Sequence, residues 1–431
     1  APVGQDLIFT VSDLTTVGNY FNVKYVAEVH ISTVDIDLAT TTAIVGTFKT
    51  TPNNTGVGMY DFRPILESFV SPDNLGSSAS EFKDVPASDG IEVPLHLIDK
   101  FSLNDNTLRY LKIRFTIEGS ATATGTVLPI GSATDSSQFN VFNGYVKYTD
   151  ALKIISGNFG YDTIGFLMGT AGRFLTNAPL TQYANIEDYG TLSFMATPND
   201  SFPATTTVDN VIFNFYNSSN ALISSDTVDN TDANGGYTTY SNLTQEDLLH
   251  VGCFPANLQN WSTIFATAMT LDLSYYTVQL RDSADSVMSE TVTINVNCPT
   301  LKGYEPIRLT WLNQWGVWDY YTFKMKSTKS ISTKGSTYQQ LEGTWNESIY
   351  LPNGYKGGKK AFRVNATEKI VMNTDFVSES ESEWFEELIN SPEVYIIKGF
   401  ATTSTTSLLN QYATPARLTT SSFTRKTVAN D

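Results

Sequence analysis

The chain has 431 residues, 41% of them hydrophobic and 12% aromatic, enough for two or three cores at roughly 150 residues per domain. A formal charge of -17, with no block of Lys or Arg offsetting it, repels phosphate and argues against nucleic acid as the main ligand. No apolar run approaches the ~20 residues that span a bilayer, and Ala1-Pro2-Val3-Gly4 lacks the charged and apolar parts of a signal peptide.

Charged residues make up only 16% of the chain, and an abundance of Ser and Thr favours strands and turns over exposed helices. The first predicted domain, 1–147, has a strand at 21–29 and a short helix opened by Gly58-Met59-Tyr60-Asp61 and running through Phe69. A strand at 110–115 follows, and a closing strand at 138–143. Segments 119–126 and 131–137 read as long hairpin loops. A second domain, 148–300, repeats the plan. It has a strand at 211–216, a short helix at 245–251 capped by Thr244 with Asp247, and strands at 276–280 and 291–296. Alternating apolar and polar residues in these strands predict antiparallel β-sandwiches. The expected fold is therefore mostly β: two antiparallel sandwich domains related by an internal repeat, then a C-terminal α+β domain at 301–431.

Few residue patterns suggest chemistry. His30 and His96 fall in strand-like surroundings and His250 at the end of the predicted helix, none at zinc-ligand spacing. No nucleophile elbow, P-loop or dinucleotide fingerprint occurs. The run 230–235 mimics the start of a calcium loop, but Ser241 stands where a bidentate glutamate is needed, so a turn at Asn234-Gly235 is expected instead. Cys253 and Cys298 are too few for a disulfide framework, and two buried thiols are favoured over one bridge. No catalytic residue, metal or cofactor is predicted.

The last third opens with Pro306-Ile307-Arg308-Leu309-Thr310-Trp311-Leu312-Asn313-Gln314-Trp315-Gly316-Val317-Trp318-Asp319-Tyr320-Tyr321-Thr322-Phe323, two strands around an aromatic turn. Further strands are expected near Thr337 and through Phe362-Arg363-Val364. A helix over 380–390 is capped by Ser380 with Glu383 and stopped by Pro392, and a strand follows at 394–399. Trp384, Phe385, Leu388 and Ile389 give this helix an apolar stripe expected to pack on the hairpin. Residues 401–431 read as strands that need a partner surface.

The hairpin pattern Arg-Leu-x-Trp-Leu-Asn, a Gly, then Trp-Asp-Tyr-x-Thr-Phe resembles a hairpin of tail and baseplate-type structural proteins of tailed bacteriophages. The helix-then-strand element 380–397 resembles the element that follows it there, and Tyr60-Asp61-Phe62-Arg63-Pro64 is a weaker echo. The resemblance implies a non-enzymatic virion component assembled in the host cytoplasm. Its partners would be copies of itself and neighbouring virion proteins. The expected interface residues are Arg308, Trp311, Trp315, Trp318, Trp384 and Tyr395, with Tyr412, Arg417 and Phe423 in the last segment; for Trp311 and Trp384 a place in the core is equally expected. The alternative is a secreted or virion-displayed carbohydrate-binding protein, with Trp315 and Trp318 stacked on sugar rings.

Overall fold

The computed structural model describes residues 1–34, 36–39, 43–82, 93–145, 152–155, 158–161, 172–196, 208–236, 247–297, 304–344, 347–352, 357–398 and 412–420. It is mostly β, with 23 strands and few short helices among these residues. The first large sheet has the order β3 (Gly46–Thr50), β2 (Phe21–Ser32), β6 (Leu108–Ser120), β7 (Leu128–Asp135), with β8 (Phe139–Phe142) also on β6. Strand period places Tyr25, Ala27 and Val29 of β2 on one face, and Leu111 and Ile113 of β6 join them in a common core. That core is closed by Tyr60, Phe62 and Leu66, from the paired strands β1 (Ile8–Ser12) and β4 (Val57–Asp61) and the single turn of helix that follows. Two expectations fail here. The 58–61 segment is strand rather than helix start, because Val57 to Asp61 pair residue by residue with β1. Most of 131–137 is likewise strand β7 and not loop.

The second large sheet runs β11 (Thr181–Asn185), β17 (Val292–Asn297), β16 (Leu273–Arg281), β13 (Asn210–Asn217), β14 (Leu222–Asp229). Along β16, Tyr276, Val278 and Leu280 are buried while Tyr275, Thr277 and Gln279 are half-exposed. Phe213 and Phe215 of β13 lie opposite Val278 and Tyr276, so all four share the inner face. A pair of helices, Pro255–Trp261 and Thr263–Met269, supplies Leu258 and Phe265 to the same core. A three-stranded sheet of β12 (Thr191–Ala196), β15 (Asp247–Gly252) and β5 (Phe101–Leu103) adds Phe101, Phe194 and Leu249. The helix expected over 245–251 is thus strand β15 where it is described. Leu248, Leu249 and Val251 are an apolar run whose length fits either element, and pairing on both edges decides it. Strands β9 (Leu152–Ile155) and β10 (Asn158–Tyr161) pair with each other.

The aromatic hairpin is strands β18 (Ile307–Leu312) and β19 (Trp318–Phe323), in a sheet ordered β19, β18, β22 (Val394–Ile397), β23 (Ala413–Ala416). The helix before β22 spans Glu379–Asn390 and is capped two residues earlier than expected, by Ser378 with Glu381 instead of Ser380 with Glu383. Ser378 accepts from the Glu381 amide, and the Glu381 carboxylate accepts from the Ser378 amide.

Contacts divide the chain into two units, Ala1–Pro299 with Arg308–Thr322 and Val377–Asp431, and a smaller one of Thr300–Ile307 with Phe323–Phe376. This differs from boundaries at 147 and 300. The largest core draws Phe82 to Phe101, Phe174 to Ile294, and Leu312, Trp318, Tyr320, Ile397 and Tyr412 into one cluster, so all three predicted domains share it. The smaller unit contains an antiparallel ribbon of β20 (Thr328–Gln340) and β21 (Gly358–Val371).

Candidate functional site: a basic β-arm

Most of the residues expected at an interface are core residues. Trp311 is fully buried, with ring centroids 4.9 Å from Trp384 and 6.4 Å from Phe385, so the 380–390 helix does pack on the hairpin. Trp315 stacks against Phe142 in a second cluster, and its turn is fixed by Asn313, whose side-chain oxygen accepts from the Trp315 amide at 2.9 Å. Gly316 follows at φ +75°, where a Cβ would stand 1.4 Å from the Asn143 carbonyl oxygen, so no other residue fits. Trp318 donates its indole N–H to the Asp73 carbonyl at 2.7 Å, with Tyr395 edge-on at 5.5 Å. Tyr395 is half-buried and Tyr412 is buried in the largest core. Arg417 is exposed, and Phe423 and Cys298 lie outside the described residues. With Trp315 and Trp318 at 3% and 2% exposure, neither ring offers a face to a sugar.

Arg308 shows why a buried charge survives here. Its guanidinium donates to the Tyr189 carbonyl at 2.6 Å, Thr322 Oγ1 at 2.9 Å and Asp188 Oδ2 at 3.3 Å, and lies 4.5 Å from the centroid of Phe254. Asp319 is another buried acid. It accepts from the Trp384 indole at 2.6 Å, Thr176 at 2.7 Å and Asn313 at 3.1 Å, yet burial pushes its pKa up to about 6.

Spacing alone could not reveal a row of Ser193, His250 and Asp73. Ser193 Oγ is 2.8 Å from His250 Nδ1, and Nε2 is 3.3 Å from Asp73 Oδ2. Nε2 faces the carboxylate and Nδ1 shares its hydrogen bond with the serine hydroxyl. These are the residue types of a hydrolase triad, but at 4%, 0% and 2% exposure they form a strut between β12, β15 and the loop carrying Asp73. His96, in a 3-10 turn rather than a strand, is similarly enclosed, 2.9 Å from the Tyr320 hydroxyl.

The accessible chemistry is on the smaller unit. Every residue of β20 except the last is exposed, as are most of β21. A lone two-stranded ribbon is marginal in water, and among the described residues neither strand pairs with a third. Register sorts the side chains onto two faces. One carries Lys334 opposite Asn365, Ser336 opposite Arg363, Ser330 opposite Lys369 and Tyr338 opposite Lys360. The other carries Ile331, Ala366, Val364 and Ile370 interspersed with Lys329, Lys359 and Glu368, with Phe362 at a bulge and 72% exposed. The connecting segment exposes Leu341, Ile349, Tyr350 and Leu351. Thr344 pins it, donating to the Ile349 carbonyl and accepting from the Leu351 amide.

Charge marks the same segment. The smaller unit holds ten of the 27 Lys and Arg but five of the 44 Asp and Glu, a net +5 that leaves -22 on the rest. The expectation that no basic block offsets the acidity is thereby corrected. A whole-chain sum hides two opposite fields, and a window over 323–376 would have found them.

No family model and no curated relative matches this chain. Among solved structures, the TIE protein of Bacillus anthracis aligns at 7% identity and TM-score 0.10, over 91% of this chain and 69% of that one. A likeness this slight carries no argument.

Proposed function

We propose that this chain is a non-enzymatic structural component of a bacteriophage virion, a tail, baseplate or adaptor protein that works by binding neighbouring proteins. The observation that carries the assembly part is the β-arm. Among the described residues, thirteen-residue β20 and fourteen-residue β21 have outer edges that no third strand covers, and they and their connecting segment expose Ile331, Phe362, Val364, Leu341, Ile349 and Tyr350. An isolated protein would be expected to blunt such edges, whereas an assembly subunit needs them. The virion part rests on the hairpin and helix resemblance. In this reading the aromatic hairpin is the rigid centre of the subunit, and the contact surface lies on the arm and on exposed positions such as Arg417.

Peptide mass fingerprinting of density-purified virus particles from the source culture tests the virion part. The chain is expected at a fixed copy number per particle. Its presence in infected-cell lysate but absence from particles would overturn the reading.

A further inference from the structure

We propose that the arm is a self-association element, and that its basic face takes the acidic remainder of a second copy of this chain. The inference rests on the assembly reading above and names the partner. Charge selects it: an arm unit of +5 and a remainder of -22 on one chain are complementary between copies. Among the described residues no carboxylate pairs with Lys334, Arg363 or Lys369; Lys360 on the same face donates to Gln340, and Lys329, elsewhere on the arm, is held by Glu305 at 2.7 Å.

The size is sufficient. At ~3.3 Å per residue the ribbon is about 43 Å long, and covering one face, one edge and the apolar connecting loop reaches the ~1,000 Å² that a specific interface needs. The chemistry is divided along that length. Lys334, Lys360, Arg363 and Lys369 supply salt-sensitive attraction, while Leu341, Ile349 and Tyr350 supply apolar area that salt does not weaken. Because arm meets remainder, the contact is heterologous: each copy gives one arm and receives another, which builds rings or filaments.

Zero-length carbodiimide cross-linking of the full chain tests this, using an equal mixture of natural-abundance and heavy-nitrogen protein. Mixed-isotope links are expected from Lys334, Lys360 or Lys369 to carboxylates outside 300–307 and 323–376. They should fall severalfold between about 50 mM and about 500 mM NaCl, where the screening length drops from ~14 to ~4 Å. In K334E/R363E/K369E they should approach background, while an unchanged thermal melt shows that the variant folds. Same-isotope links alone, mixed links indifferent to salt, or undiminished association of the variant would overturn the proposal. So would a chain that stays monomeric and binds a duplex oligonucleotide through the arm. Cross-links formed only with other particle proteins would overturn self-association and keep the assembly reading. Mixed-isotope links from a chain absent from particles would do the reverse.

Discussion

Trp384 and Asp319 carry the clearest consequences of any single residues. Trp384 is 3% exposed, stacks on Phe385 and gives its indole hydrogen to a buried carboxylate. Trp384→Ala should destabilise the chain by about 3–5 kcal/mol, the range for deleting a buried aromatic. Trp384→Phe keeps most of the packing and loses only the donor, so its loss should be nearer 1–3 kcal/mol. Denaturant midpoints separate the two, and a Trp384→Ala loss under ~1 kcal/mol would mean that the ring is not a core element. Asp319 has a folded pKa raised from 3.8 to about 6, because burial outweighs its three donors. A raised acid stabilises the fold fully below its unfolded pKa, and that contribution is lost as pH rises through the folded one. The stability difference between the native chain and Asp319→Asn should therefore decline from about pH 4 to about pH 6 and flatten above. A difference constant across that window in urea titrations would show Asp319 ionised throughout.

Elements were legible in the sequence where one face is buried. The alternation of Tyr276, Val278 and Leu280 against Tyr275, Thr277 and Gln279 marks β16 from composition alone, and the capped helix before β22 is displaced only at its first turn. Legibility failed where tertiary pairing decides between equals, as in β15 and β4. It also failed where aromatic density cannot say whether a ring meets its own chain or another: Trp315 and Trp318 are core because of strand register and the close approach of Gly316 to the Asn143 carbonyl, contacts distant in sequence. The arm was half visible, as strands near Thr337 and Phe362, but its hydroxyl-rich sequence has no apolar period to announce its length. None of its residues belongs to a core cluster, which gives a prediction. Replacing 328–371 by a short Gly-Ser linker should leave the main unfolding transition within ~0.5 kcal/mol, as for surface changes remote from a core. In the intact monomer, β20 and β21 amides should exchange far faster than those of β18. Slow exchange of the arm at high dilution would mean that it is stabilised without a partner.

At the scale of the whole molecule, one core gathers side chains from Phe82 to Tyr412, and β5 completes a sheet with β12 and β15. Three independently folding domains do not share strands in this way. Segment 148–300 expressed alone should then be unfolded or aggregated, lacking Phe101, Trp318 and Tyr320 from its core. A cooperative melt of that fragment would restore the boundary at 147. The sequence could not anticipate this, because the 1–147 and 148–300 segments each contain enough apolar residues for a core. What joins them is partner choice among equivalent strands.

The indole of Trp318 meets the carbonyl of Asp73, 245 positions earlier in the chain. At the roughly 5–20 residues per second of protein synthesis, that is about 12–50 s of waiting between the making of the two groups. Strands β22 and β23 come later still. Phe101 waits nearly as long for the Trp318 and Tyr320 that complete its cluster, and Phe194 and Leu249, made later, wait less. A chain cut short before Val394 lacks β22, β23 and the Ile397 and Tyr412 that belong to the largest core. The closing of this core is thus timed by its last contributors, Ile397 and Tyr412.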